Sequence, residues 1–286
     1  MAPAKPSPPV PAELEAACHP LLGTPNYEID KRRTSYRYCR ELSFLGEQDG
    51  YTWGYRIYRT SYTSDANFQE AMDVLREYMH YECYIDYTSR LEALEKKGLS
   101  RDTVDERPNQ QLWSRLKNEI VQDREQLEGA SPGKIRTIAQ NWTHSLGNKV
   151  HTSPRYRLCL MIDDDAIETL LRHPMPAVRP PNISLARAVK VIDSEFGLPD
   201  SYHSDVEDEE EDGERDDDDE EDEAGSTGLR YVGWFWAGAS MLMDLWLIES
   251  ELDTEELYTW DDERQPLHLW TSMNTSRNLK SEDFTS

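Results

Sequence analysis

Asp163-Asp164-Asp165 with Glu168 is the set of residues whose spacing most suggests chemistry. Clustered carboxylates hold hard cations, and Asp164-Asp165-x-x-Glu168 imitates the DDxxD/E arrangement that holds magnesium ions against a pyrophosphate. That chemistry needs the acids along a long helix in an all-helical fold. Here they follow a strand-like run, Tyr156–Asp163, and open a short amphipathic one. Acids at a helix start complement its dipole, and Asp165 with Glu168 has the spacing of a capping box. Asp164, Asp165 and Glu168 therefore stand as metal candidates with a capping reading preferred, and no metal or cofactor is expected. His80 and Cys83, three apart on a predicted helix, lack a second pair of ligands nearby. No G-x-S-x-G, phosphate loop or dinucleotide fingerprint occurs. The four cysteines show no CxxC spacing and read as reduced, buried thiols.

The charge pattern is more informative. Residues 205–223 hold 16 acids and one arginine, a charge of -15, within a chain of net charge -25. Like charges and a single apolar residue, Val206, leave nothing there to bury, so a disordered loop over 200–228 is expected. The remainder of the chain is also acidic. Nucleic-acid binding is thereby disfavoured, since phosphate contacts need the opposite sign, and basic proteins are the favoured partners. Ser204, directly before the acids, suits an acidophilic kinase. Ser35, after Arg32-Arg33, suits a basophilic one, and Lys31-Arg32-Arg33 could serve nuclear import.

These residues need elements to position them. Tyr51–Tyr62 is the clearest strand, with Tyr51, Trp53, Tyr55 and Ile57 on one face and aromatic residues on the other as well. Ser64-Asp65 caps a long helix running to Lys96, ended by Gly98. The row Tyr78, Tyr81, Tyr84, Tyr87 on it reads as a core face. Helices are predicted over Asn109–Leu127 and Lys134–Leu146. Further strands are predicted at Tyr156–Asp163, Ala188–Asp193 and Arg230–Trp236, and a closing helix at Gly238–Glu249. Val232–Ile248 is apolar but short for a membrane span, and Asp244 lies within it, so no membrane partner is expected.

The fold expected is α+β, a four-stranded, mostly antiparallel sheet with helices on one face, ferredoxin-like, interrupted by the acidic loop. Residues 1–49 read as a Pro-rich, largely disordered arm, 50–252 as one discontinuous domain, and 253–286 as a polar tail. Lys5–Pro11 fits a proline-rich ligand pattern. The N-terminus lacks an h-region, so a cytoplasmic or nuclear protein is expected rather than a secreted one.

The strand Trp53–Tyr62 matches the pattern Trp-Gly-Tyr/Phe-x-Ile-Tyr-Arg-Thr-x-Tyr. In this it resembles a family of short, highly expanded proteins of filamentous fungi. The resemblance extends over roughly residues 50–250. It includes the strand ending in Asp with an acidic helix start (Leu158–Glu168), the valine-rich strand Val189–Asp193 and Gly233-Trp234. The family implies an α+β fold and brings no catalytic residues, and the long acidic insertion is not expected of every member.

Two functions follow as expectations. One is a non-enzymatic interaction protein whose acidic loop favours basic partners. The other is an accessory enzyme of fungal secondary metabolism, with an apolar substrate in an aromatic pocket formed by Trp53, Tyr55, Trp234 and Trp236.

Overall fold

The strand expected over Tyr51–Tyr62 is regular only at Arg56–Arg59, with Trp53 making an isolated bridge to Leu116 before it. The computed structural model describes residues 9–22, 27, 32–147, 153–172, 187–197 and 233–248. Its elements run α1 (Ala12–Ala17), α2 (Thr34–Leu45), β1 (Arg56–Arg59), α3 (Asp65–Lys96), α4 (Arg107–Ser114), β2 (Glu119–Val121), α5 (Arg124–Leu127), α6 (Pro132–Ser145), α7 (Pro154–Arg157), β3 (Leu158–Ile162), α8 (Asp164–Leu171), β4 (Ala188–Asp193), β5 (Trp234–Gly238) and α9 (Leu242–Ile248).

Each residue leading into β1 has a structural task. The Trp53 indole Nε1 donates to the Leu112 carbonyl oxygen at 2.6 Å, and Tyr55 Oη donates to the Leu242 carbonyl oxygen at 2.6 Å. Gly54 lies at φ +124°, and a Cβ there would stand 2.8 Å from the Lys117 carbonyl oxygen. Only glycine lets the backbone leading into β2 come this close. Ser64 Oγ accepts from the Asn67 N–H at 3.2 Å and starts α3, as its sequence predicts. Gly98, at φ +65°, follows its end.

The sheet has five strands in the order β2-β1-β3-β4-β5. β1 pairs parallel with β2 and β3, while β4 runs antiparallel to both β3 and β5. The fold is thus α+β with a mixed sheet. The expected four-stranded, mostly antiparallel, ferredoxin-like arrangement is corrected by β2. A helix over Asn109–Leu127 does not form either: α4 ends at Ser114, and β2 and α5 replace its second half. Apolar spacing alone does not separate a helix of this length from a helix, a strand and a second helix, because β2 is only three residues long and its Ile120 is exposed.

Helices cover both faces, not one. Ile57, Leu160, Val191 and Phe235 pack with Phe68, Leu75 and Met79 of α3, with Ile167 of α8 and with Trp246 of α9. Tyr58, Cys159, Met161 and Ile192 form a second core with Leu127, Ile135 and Ala139 of α5 and α6. The two parallel crossovers explain this: β1 reaches β2 through α3, and β2 returns past β1 to β3 through α6 on the other face. Both faces of Tyr51–Tyr62 carry aromatics for this reason.

Residues on either side of the acidic segment share one interior, since Phe235, Ala237 and Trp246 belong to the same core as Trp53 and Ile57. The arm expected over 1–49 is partly incorporated into the body. Leu14 and Ala17 of α1 and Tyr38, Cys39 and Leu42 of α2 are core residues. Tyr38, Cys39, Leu42 and Leu45 fall at helical spacing on one face of α2, and that face is buried against the rest of the molecule. The acidic loop, the C-terminal tail and residues 5–8 of the proline pattern lie outside the described residues.

Candidate functional site

The polar residues of the sheet gather where the parallel strands end. β1 leaves toward β2 and β3 toward β4, so the loops after β1 and β3 diverge. In parallel sheets a crevice at such a point is where ligands bind. Here the crevice is closed by the chain's own groups. Ser61 Oγ donates to Asp164 Oδ1, and Thr63 Oγ1 donates to the same oxygen at 3.0 Å. Arg59 donates to the Ser61 carbonyl oxygen at 2.7 Å, to Gln122 Oε1 at 3.2 Å and to Asp65 Oδ1 at 2.5 Å.

Lys190 enters from β4. Its ammonium donates to Asp163 Oδ2 and, at 2.9 Å, to Asp165 Oδ2. The same nitrogen lies 5.8 Å and 5.0 Å from the ring centroids of Trp234 and Trp236. Burial pushes the Lys190 pKa down, and the two carboxylates outweigh it, so the pKa stands above the ordinary lysine value. The ammonium is therefore a fixed charge at neutral pH and not a base. The Ser61 hydroxyl is bound by Asp164 and Thr63 rather than by a histidine, and a carboxylate is a poor base for an alcohol.

The expected metal candidates are drawn apart by these contacts. Asp164 faces the Ser61 and Thr63 hydroxyls, Asp165 faces Lys190, and Glu168 lies 3.4 Å from Arg172. Among the described residues no group of three or more His, Cys, Asp and Glu could hold a metal ion. The helix cap is Asp163, whose Oδ1 accepts from the Ala166 N–H at 2.9 Å, and not the expected Asp165. His80 and Cys83 also diverge. His80 stacks on Tyr84 and meets the edge of Trp113 beside a shallow groove of about 430 Å³, while Cys83 is buried with its Sγ 3.8 Å from Met243 Sδ.

The four aromatic residues expected to line one pocket are divided between the two cores. Trp53 and Tyr55 are buried in the first core. Trp234 packs against the second core, on the face of its β4 partner Ile192. Trp236 shares that face with its partner Lys190 and lies at the rim of the first core. A sequence shows four aromatics but not which side of a sheet each takes. Ser35 is buried in the first turn of α2, its N–H donating to Asp86 Oδ2 at 2.9 Å, so a kinase reaches it only if α2 opens. Arg33 of the basic cluster is buried as well, bound to the Asp105 carbonyl oxygen at 2.5 Å and to Asn109 Oδ1 at 2.6 Å. Ser204 lies outside the described residues.

One buried acid has no sequence signal beyond its helical spacing. Glu82 of α3 accepts from the N–H groups of Met243 and Asp244 at 2.9 Å and 3.0 Å and so caps α9 from another helix. Burial pushes its carboxyl up to about 8, against the opposing effect of those two amides. Asp244 is pushed up by burial to about 6, with Arg37 opposing.

No family model, curated protein or solved structure matches this chain. Among the described residues, no helix is long and apolar enough to cross a membrane; the apolar run ending at Ile248 is divided between β5 and α9.

Proposed function

We propose that this chain is a non-enzymatic interaction protein whose acidic segment 205–223 engages basic partners. One observation carries the reading. Asp193, the last residue of β4, donates its N–H to the Gly233 carbonyl oxygen at 3.1 Å. The described residues on either side of the acidic segment thus meet at Asp193 and Gly233, and the sequence between them carries the -15 charge of 205–223. A basic ligand gains Coulomb attraction at that point without any change of fold, over a screening length of about 8 Å at physiological salt. Acids also outnumber bases in the crevice, where Asp65, Asp163, Asp164 and Asp165 face Arg59 and Lys190.

A cytoplasmic or nuclear setting suits such a protein. Titration with an octalysine peptide tests the function. The full chain is compared with a version in which 205–223 is replaced by a Gly/Ser linker of equal length. The replacement is expected to weaken binding about tenfold at low salt, which is ~1.4 kcal/mol, and the two proteins should converge as salt rises. Equal affinity at low salt overturns the reading.

A further inference from the structure

α9 closes the first core. It is seven residues long, and its Leu245 and Trp246 are fully buried. A helix of that length does not hold itself in water, so its seat depends on what it touches. Two side chains hold its start. Tyr55 Oη donates to the Leu242 carbonyl oxygen at 2.6 Å. Glu82 of α3 accepts from the Met243 and Asp244 N–H groups at 2.9 Å and 3.0 Å, one on each carboxyl oxygen. Upstream, the bond from Ala239 N–H to the Arg187 carbonyl oxygen at 2.9 Å fixes the end of β5. A 3-10 turn over Ala239–Met241 joins that point to α9. α9 can therefore move while β5 stays paired with β4.

The buried carboxyl of Glu82 meets no cation among the described residues. α2, α3 and α7 pack against α9, and their charges are engaged elsewhere. On α3, Tyr78 lies one turn before Glu82 and faces Arg187, and Asp86 lies one turn after it and faces Arg33 at 3.5 Å. Cys83, with its Sγ 3.8 Å from Met243 Sδ, is a thiol that burial, Glu82 and Cys39 of α2 all push well up. Arg37 of α2 acts on Asp244. On α7, Arg155 donates to the Lys117 carbonyl oxygen at 2.6 Å, Tyr156 donates to Asp49 Oδ1 at 2.5 Å, and Arg157 pairs with Glu195 at 3.1 Å. Arg107 of α4, which packs on α2 and α3, is held by Asp105 at 2.6 Å. The second acid at the contact, Asp244, has a buried Oδ1 with no hydrogen-bond partner.

We propose that Glu82 and α9 form a proton-operated latch: the neutral acid seats α9 on α3, and loss of its proton lifts α9 and lets water reach Glu82 and Trp246. An ionised carboxylate buried without a cation is costly, and two amides offset only part of that cost. In the open form the same charge is hydrated, so ionisation favours opening. Burial holds the carboxyl at about 8, whereas water returns it to about 4.3. The latch is thus shut on the acid side of this window and loosens as pH rises toward 8. From about pH 6.5 to about pH 9 the opening constant rises about thirtyfold. Asp244, whose carboxyl stands at about 6, adds little above pH 6.5.

Hydrogen exchange of the full chain tests this, read residue by residue and corrected for the intrinsic pH dependence of amide exchange. The opening constant at the Met243, Asp244 and Trp246 amides should rise about thirtyfold from about pH 6.5 to about pH 9. Amides of β1 and β3 should stay far better protected throughout. Glu82→Gln should remove the rise, and Asp244→Asn should leave it in place. If Glu82→Gln does not fold, the native chain decides by itself. Its opening constant should climb about eightfold between about pH 6.5 and about pH 7.5, but only about twofold between about pH 8 and about pH 9. A constant slope across both intervals, or no slope at all, overturns the latch. So does an equal rise in Glu82→Gln. Exchange of α9 only in step with β1 and β3 overturns it too, because the proton would then act on the whole fold and not on one helix.

Discussion

Changing Glu82 to Gln should flatten the pH dependence of stability above pH 6. Glu82 is buried where α3 meets α9, and its carboxyl accepts from two backbone amides that begin α9. Burial outweighs those amides and holds the carboxyl at about 8. In the unfolded chain the same group titrates near 4.3. Between these values the folded state keeps a proton that the unfolded state has released, so stability falls as pH rises, by up to ~1.4 kcal/mol per pH unit. The contribution is fully present below about 4.3 and is lost by the time pH passes about 8, a total of ~5 kcal/mol. Asp244 acts in the same direction, but its carboxyl stands at about 6. The window above about pH 6.5 therefore belongs mainly to Glu82. From about pH 6.5 to about pH 8 the native protein should lose about 2 kcal/mol more than the variant Glu82→Gln. Glutamine also sets an NH₂ against one of the two amides and costs roughly 1 kcal/mol, but this offset does not depend on pH. Urea unfolding of both proteins across that range gives the difference directly. Parallel curves would refute the assignment of the slope to Glu82.

Gly54→Ala should destabilise the protein by about 3 kcal/mol or more in the same assay, because it combines a positive-φ backbone with a Cβ 2.8 Å from the Lys117 carbonyl oxygen. All four cysteines are free and buried, and burial pushes their pKa values up, so they should resist a thiol reagent in the native state and react fully in denaturant. A native cysteine reacting at the rate of a free thiol would contradict their placement. Lys190→Met should cost about 1–3 kcal/mol at neutral pH by leaving Asp163 and Asp165 facing each other without a counter-ion; a neutral or stabilising change in urea unfolding would show that the pair is not a structural one.

Much of the local structure was legible. Ser64 and Gly98 bound α3 as capping chemistry requires, and the apolar runs around Ile57, Leu160 and Val191 are strands. What misled was short or partner-dependent. β2 has three residues and is brought to β1 by Gly54 and by the side-chain amide of Asn118, whose Oδ1 accepts from the Tyr55 N–H. α1 is a helix of six residues that depends on burial of Leu14 and Ala17, whereas the helical spacing of Tyr38, Cys39, Leu42 and Leu45 in α2 was a signal that the proline-rich reading of residues 1–49 passed over. The candidate site shows the same division. Asp163–Asp165 read as a helix start and form one, capped locally by Asp163, but the pairing of Asp163 and Asp165 with Lys190 depends on a strand 25 to 27 residues away.

The amino-acid order by itself determined the acid surplus, the segment with no residues to bury, the main strands and the long helix, because charge and side-chain period act over a few neighbours. Only the tertiary structure decided the cores into which Trp53 and Trp234 pack, the capping of α9 by Glu82 and the pairing of β5 with β4. Each of these depends on the order in which distant strands lie side by side, and strand order is set by packing across the whole chain.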